Sequence, residues 1–153
     1  MTPTEIRAAV QRLNSKTVAG EEEAWGELRD LGAEVVPYLR EAYSMFGRWQ
    51  GRMSLVFHSI RYARESDDAF QLGLEAISDR ATLVRYRACS LLAYSLRKDA
   101  LEPLKSLLKH DDQQTVDDAK AAINAIEKQN HHLFVDRDNS GRASWIVNEF
   151  DRG

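Results

Sequence analysis

Residues 79–129 read DRATLVRYRACSLLAYSLRKDALEPLKSLLKHDDQQTVDDAKAAINAIEKQ, and this stretch decides the fold class. Three segments within it, at about 81–96, 100–110 and 116–127, carry apolar residues at spacings of three and four, as amphipathic helices do. Pro103 stands in the first turn of the second segment, where a helix has no use for an N–H donor. The stretch therefore predicts three consecutive helices.

The first and third segments repeat each other at a step of about 31 residues. The aligned pairs are Ala88 with Ala119, Leu91 with Ala122, and Leu92 with Ile123. The same step links Leu101 back to Phe70 and Leu108 back to Ile77. A repeat of this length, built from two short helices, is typical of stacked helical hairpins.

With this pattern the chain resembles the HEAT-repeat family, especially its short bacterial form, over residues 21–129. The resemblance rests on Asp79, Val84, Arg85, Ala88, Leu91, Leu92, Leu101, Pro103, Leu104, Leu107 and Leu108. It implies an all-α fold, a short right-handed solenoid of about three helical hairpins and a final helix. It also implies binding of macromolecules in preference to catalysis, although fold alone does not fix function.

Composition and charge restrict the class of protein. The 153 residues are 43% hydrophobic, which suits one globular domain with its own core. A formal net charge of -3 argues against non-specific nucleic-acid binding by the whole surface. The single cysteine, Cys89, excludes an internal disulfide, and its place in a striped helix predicts a small buried residue. No membrane span or signal segment is evident, so we expect a cytoplasmic protein.

The two ends differ from the repeats. Residues 1–20 are predicted to be a capping helix and loop, with Thr2 and Glu5 forming a capping box. Residues 130–153 contain two short runs, 132–135 and 145–147, that are β-prone and alternate in polarity. These runs predict a C-terminal β-hairpin followed by a tail.

The loop between those runs, DRDNSG at 136–141, resembles the first half of a calcium-binding EF-hand loop. Asp136, Asp138 and Ser140 are the weak calcium candidates. Val147 stands where the bidentate glutamate belongs, so a polar hairpin turn is the favoured interpretation and we expect no metal. The adjacent residues His131 and His132 would point to opposite faces of a strand and cannot both ligate one zinc ion.

Basic residues crowd the central repeat. They are Arg80, Arg85, Arg87, Arg97 and Lys98, with Arg61 and Arg64 on the preceding helix, and three tyrosines, Tyr62, Tyr86 and Tyr94, lie among them. Such a surface suits phosphates or an acidic protein partner. The alternative is a solvated helix face whose charges are paired with neighbouring acids.

No motif for nucleophilic catalysis or for cradling phosphate occurs, so we expect no cofactor. His58 is interpreted as an ordinary helical histidine, and Trp49 as either a packing residue or a ligand platform. We therefore predict a non-catalytic adaptor, not an enzyme, that binds a protein partner through a helical-repeat face. The resemblance to short bacterial helical-repeat proteins implies an immunity-type protein as one form of such an adaptor. The alternative is a nucleic-acid-binding protein that uses the Arg61–Lys98 face. The candidate partner-binding residues are Trp49, Arg64, Arg85, Tyr86, Arg87 and Trp145.

Overall fold

The computed structural model describes residues 1–153 and contains eight α-helices and no β-strand. The helices are α1 (Pro3–Gln11), α2 (Val18–Leu28), α3 (Val36–Tyr43), α4 (Trp49–Ser59), α5 (Asp67–Ala76), α6 (Thr82–Ser95), α7 (Leu101–Ser106) and α8 (Gln113–Glu127). Short 3₁₀ turns extend several helices and recur after α8, at His131–Phe134 and Glu149–Arg152. The all-α prediction is confirmed. None of the helices has the length and apolarity needed to cross a membrane.

Polar side chains set where several helices begin. The predicted capping box of α1 is present: Thr2 accepts from the Glu5 amide, and the Glu5 carboxylate accepts from the Thr2 amide. Asp112 caps α8 by accepting from the Gln114 amide. Helix α8 therefore starts three residues before the predicted position, because its polar first turn carries no apolar stripe.

All eight helices belong to one connected set of contacts. Helices α4, α6 and α8 lie side by side, α5 packs on both α3 and α6, and α7 packs on α8. Buried apolar side chains form two clusters, one centred on α1 to α4 and a larger one centred on α4 to α8. Tyr43 packs against both clusters. Helix α2 packs mainly on α1, and it meets α4 through side chains described below.

Buried arginine–aspartate contacts repeat along the chain. Arg52 donates to Asp79 from Nε and Nη2, at 2.8 and 3.1 Å, and donates to the carbonyl of Phe46. Arg85 donates to Asp112 at 3.0 Å and to the carbonyl of Asp79 at 2.8 Å. In both cases the arginine contacts a carbonyl six residues before it and a carboxylate 27 residues after it. The two arginines stand 33 positions apart, and so do the two aspartates. This polar repeat is close to the apolar step of about 31.

The Asp79 carboxylate accepts four hydrogen bonds. Burial favours its neutral form, but hydrogen bonds from Arg52 and from the Tyr43 hydroxyl outweigh that effect and hold its pKa below the ordinary value. Burial in turn raises the pKa of Tyr43. The Asp79 side chain also accepts from the Ala81 amide at 2.9 Å, so it joins three segments of the chain.

The C-terminal segment, residues 130–153, folds back over α6 and α8 without forming the predicted β-hairpin. Residues 131–134 are a 3₁₀ turn. The Trp145 amide donates to Nδ1 of His132 at 2.9 Å, where a strand would donate to a backbone carbonyl. The hairpin prediction is wrong because two alternating runs of three or four residues suit a turn packed on helices equally well.

The single thiol lies in the larger core. Cys89 is free and fully buried in α6, which confirms the prediction of a small buried residue. Burial raises the pKa of the Cys89 thiol to about 12. Because the thiolate is the reactive form, this side chain is inert while the core stays closed.

Candidate active site

A groove runs between α2, α4 and α6 and ends against the C-terminal segment. It consists of two adjoining cavities of about 350 and 380 Å³ that share the side chains of Phe57 and Arg87. The first is also lined by Val18, Glu21, Trp49 and Met53, and the second by Trp25, His58, Arg61, Trp145 and Ile146. Cavities of this size are typical of small-molecule sites. We call these two cavities together the groove.

Helix α4 supplies the floor of the groove. Trp49, Met53 and Phe57 follow one another at intervals of four residues, and so do Gln50, Ser54 and His58. Residues at this spacing share one face of a helix. Trp49 and Phe57 are 40% and 47% exposed, so two large apolar side chains on this face remain uncovered.

A carboxylate and an imidazole meet where α2 crosses α4. Oε1 of Glu21 is hydrogen-bonded to Nε2 of His58 and accepts from the Ser54 hydroxyl at 2.8 Å. The Trp25 ring is stacked on the His58 ring, with centroids 3.8 Å apart and an interplanar angle of 12°. The hydrogen bond from His58, aided by that from Ser54, lowers the pKa of Glu21 despite its partial burial.

This geometry fixes the orientation of the imidazole. The ionised Glu21 carboxylate accepts, so Nε2 of His58 carries the proton in this contact and Nδ1 is left as the second ring nitrogen. The His58 side chain is 10% exposed and lines the groove. A carboxylate that holds one nitrogen of a cavity-lining histidine is an arrangement found in general acid–base sites.

Arg87 stands in the middle of the groove without a neutralising partner. Its guanidinium carbon lies 4.7 Å from the centre of the Phe57 ring and 5.2 Å from that of Tyr86. Its Nε is buried and has no hydrogen-bond partner. Arg87 belongs to none of the ion pairs of the protein. The groove therefore contains a cation whose charge is met only by aromatic faces.

Three of the predicted partner-binding residues line the groove. Trp49 stands at the start of α4, Arg87 projects from α6, and Trp145 comes from the C-terminal segment. Trp145 also packs against the rings of Tyr94 and Phe134, with centroids 5.8 and 5.6 Å away. The indole thus both closes one end of the groove and covers the core.

The other three predicted residues make contacts within the protein. Arg85 is 5% exposed and bonded to Asp112, so its assignment to a surface patch is wrong. Tyr86 is half-buried and lies against Phe134. Arg64 reaches solvent, but its guanidinium donates to the Tyr94 carbonyl at 2.8 Å.

The wider basic face is partly neutralised by neighbouring acids. Arg97 pairs with Asp67 and Asp99 at 3.0 and 2.7 Å, and its guanidinium lies over the Phe70 ring. The candidate calcium loop is closed by its own hydrogen bonds. The Asp136 carboxylate accepts from the Ser140 hydroxyl at 2.7 Å and from the Gly141 amide at 2.8 Å.

No group of three or more histidine, cysteine, aspartate or glutamate side chains converges in a way that would hold a metal ion. The expectation that the loop binds no metal stays a prediction, with Asp136, Asp138 and Ser140 as the weak calcium candidates.

Sequence reasoning missed Glu21 and His58 as a pair. Glu21 opens an acidic run that looks like an ordinary helix start, and His58 is an isolated histidine 37 residues later. Only the packing of α2 on α4 brings them together. The one sequence signal was the presence of Ser54 and His58 four residues apart on the same helix as Trp49.

Comparisons with known proteins give a likeness of fold. No family model and no curated protein matches the sequence. Among solved structures, human deoxyhypusine hydroxylase in complex with glycerol matches with a TM-score of 0.66 and 18% sequence identity. The match covers 82% of this chain and 44% of the hydroxylase, so the chain spans less than half of that protein's length.

This comparison corrects the functional prediction. The prediction of a non-catalytic adaptor, and with it the prediction that the chain is not an enzyme, is contradicted because a solved protein with this fold is an enzyme. At 18% identity the likeness shows the fold alone, and the activity of that enzyme does not transfer to this chain. What this chain and the hydroxylase share is the all-helical fold.

Proposed function

We propose that the chain is an enzyme, that the groove is its active site, and that the Glu21–His58 pair transfers protons to and from a bound small molecule. The observation that carries this proposal is the hydrogen bond from Nε2 of His58 to Glu21, which leaves Nδ1 as the free nitrogen of a histidine that lines the groove. The likeness of the fold to that of an enzyme supports it.

In this mechanism each residue has a separate role. His58 is the general base through Nδ1, and it returns the proton as the general acid. Glu21 is the positioning residue, because it holds the imidazole in one tautomer and stabilises the imidazolium that forms. Ser54 donates to Glu21 at 2.8 Å and makes no hydrogen bond to His58, so it orients the carboxylate and is not a nucleophile. The proton acceptor acts on the substrate itself or on a water molecule.

The experiment measures proton transfer directly. Phenylpyruvate, which has acidic protons beside its carbonyl group, is incubated with the protein in deuterated water, and deuterium uptake is followed by NMR. Aryl esters and aryl phosphates are screened in parallel for hydrolysis. We expect His58→Gln and Glu21→Gln each to lower the catalysed rate about 100-fold or more.

His110→Gln is the matched control, since His110 is an exposed histidine in the turn before α8 and does not line the groove. Its rate should equal that of the wild-type protein. Catalysis that is equally fast in His58→Gln would contradict the assignment of the base. Binding of the probes without any turnover would contradict the proposal of an enzyme.

We also infer that the helix pairs form a short right-handed solenoid of HEAT-like hairpins. The 33-residue repeat of the Arg52–Asp79 and Arg85–Asp112 contacts supports this arrangement, because the same bond recurs from one hairpin to the next. The side-by-side packing of α4, α6 and α8 supports it as well. A cytoplasmic location is a further part of this proposal.

A further inference from the structure

The charges around the groove are unbalanced in favour of cations. Lys16, Arg61 and Arg87 line it and belong to none of the ion pairs of the protein. The carboxylate that lines it, Glu21, is already hydrogen-bonded to His58 and Ser54. A ligand with negative charge would therefore find free cations and no free carboxylate.

Among these cations, Arg87 is the one best placed to bind an anion. It is the one charged side chain common to both cavities, and Phe57 lies beside it as the shared apolar residue. The Nε–H of Arg87 is buried without a partner, which is energetically costly, and the guanidinium has no carboxylate to neutralise it. Guanidinium groups bind carboxylate and phosphate oxygens with two parallel hydrogen bonds.

The apolar surface beside Arg87 specifies the rest of the ligand. Trp49 and Phe57 present uncovered rings on the floor of the first cavity, whose volume of about 350 Å³ accommodates a single aromatic compound. Planar rings pack well against such side chains. Because Trp49, Phe57 and Arg87 line the same cavity, one molecule can contact both rings and the guanidinium.

We propose that the groove binds a small aromatic anion, with its ring against Trp49 and Phe57 and its carboxylate or phosphate group on Arg87. The inference rests on the proposed function, because it names the class of substrate that His58 would act on. It assigns Arg87 to substrate binding and leaves proton transfer to His58.

The test measures dissociation constants by NMR titration with phenyl phosphate, benzoate, inorganic phosphate and the neutral benzyl alcohol. We expect one or both aromatic anions to bind, with the resonances of Trp49 and Phe57 shifting, and benzyl alcohol and inorganic phosphate to bind at least tenfold more weakly. Comparison of phenyl phosphate with benzoate distinguishes a phosphate ligand from a carboxylate ligand. Absence of binding by both aromatic anions, or equal binding of benzyl alcohol, would overturn the proposal.

Variants locate the contact. Arg87→Gln should weaken binding of the better aromatic anion about tenfold or more, which is the loss expected for a charged hydrogen bond. Arg87→Lys keeps the charge and should retain an intermediate affinity, and Trp49→Ala should weaken binding through loss of the ring contact. Arg80→Gln is the control, since Arg80 is exposed, unpaired and outside the groove. Unchanged affinity in both Arg87 variants would overturn the assignment.

His58→Gln separates this proposal from the proposed function. The variant should bind the aromatic anion with an affinity within about threefold of wild type, because His58 does not hold the anionic group. Binding without catalysis in the wild-type protein would contradict the proposed enzyme and leave the ligand class supported. A catalysed rate that is unchanged in Arg87→Gln would support the proposed enzyme and contradict the assignment of Arg87 to substrate binding.

Discussion

Arg85 and Arg87 stand two positions apart on α6, and only one of them is open to a ligand. Arg85 points into the protein, where Asp112 and Thr115 accept its hydrogen bonds. Arg87 points into the groove and contacts aromatic rings. The sequence places both in one basic cluster, because they are the same residue type two positions apart. Only the folded structure shows that their contacts differ.

The buried Arg52–Asp79 pair gives a prediction at the same scale. Asp79→Ala should lower the free energy of unfolding by about 3–5 kcal/mol, because Arg52 is left charged and buried without its carboxylate. The double variant Arg52→Met/Asp79→Leu should recover much of that loss. Urea denaturation measures both.

Asp99→Ala is the control for this prediction. Asp99 pairs with Arg97 at the surface, where an ion pair contributes about 0–1 kcal/mol. A similar loss in the Asp79 and Asp99 variants would show that burial of the pair is unimportant.

Two helical glycines differ in what surrounds them. A Cβ atom on Gly51 in α4 would lie 2.9 Å from the backbone Cα of Asn14, so Gly51→Ala should destabilise the protein by about 1–3 kcal/mol. Gly26 in α2 has open space around it, and Gly26→Ala should stabilise the helix by about 0.5–1 kcal/mol. Thermal and urea unfolding should give opposite signs for the two variants; equal signs would contradict the close approach at Gly51.

The C-terminal segment gives a prediction about pH. His131 accepts from Nη2 of Arg64 at Nδ1 and donates to the Trp145 carbonyl from Nε2, so it is neutral in the fold. Burial, aided by the neighbouring His132, lowers its pKa below the ordinary 6.5, although Asp151 lies 3.9 Å away and opposes the shift. Stability contributed by neutral His131 is therefore complete above pH 6.5 and declines as the pH falls below it, because the unfolded chain then takes up the proton more readily.

The free energy of unfolding should accordingly be smaller at about pH 5 than at about pH 7.5. His131→Gln should show a weaker dependence across this range, since the titrating group is gone. The carboxylates with lowered pKa values, such as Asp79, act in a separate window below their ordinary 3.8. An unchanged pH dependence in His131→Gln would assign the effect to another group.

The elements were predictable where their pattern was long and regular. Helix α6 was expected at about 81–96 and spans Thr82–Ser95, since its stripe covers four turns. The C-terminal runs were too short for their alternation to distinguish a strand from a packed turn. The Glu21–His58 pair could not be predicted, because its members lie on different helices and the spacing of Ser54 and His58 on one helix does not identify Glu21 as the partner.

At the scale of the whole molecule, the two cores are mechanically joined. Tyr43 packs against both, and the Arg52–Asp79 pair connects α4 with the turn before α6. Because the contacts that join the cores are buried, loss of either core exposes the other. The contacts that join the two cores arise from packing between repeats. The apolar period in the sequence does not predict them.

We therefore expect one cooperative unfolding transition. Two variants each keep a single tryptophan, either Trp25 in α2 or Trp145 in the C-terminal segment. In each variant, the urea midpoint from tryptophan fluorescence should equal the midpoint from circular dichroism. Separate midpoints would show that the two cores unfold independently. Conservative replacement of the remaining tryptophans by phenylalanine keeps the packing disturbance small.

Cys89 has a practical consequence. The protein carries one thiol, placed in the middle of the larger core and held in its protonated form. A thiol-reactive dye can modify it only when that core opens, so the labelling rate counts opening events in native solution without denaturant or an engineered probe. Cys89 is therefore a built-in probe of how often the helical core opens.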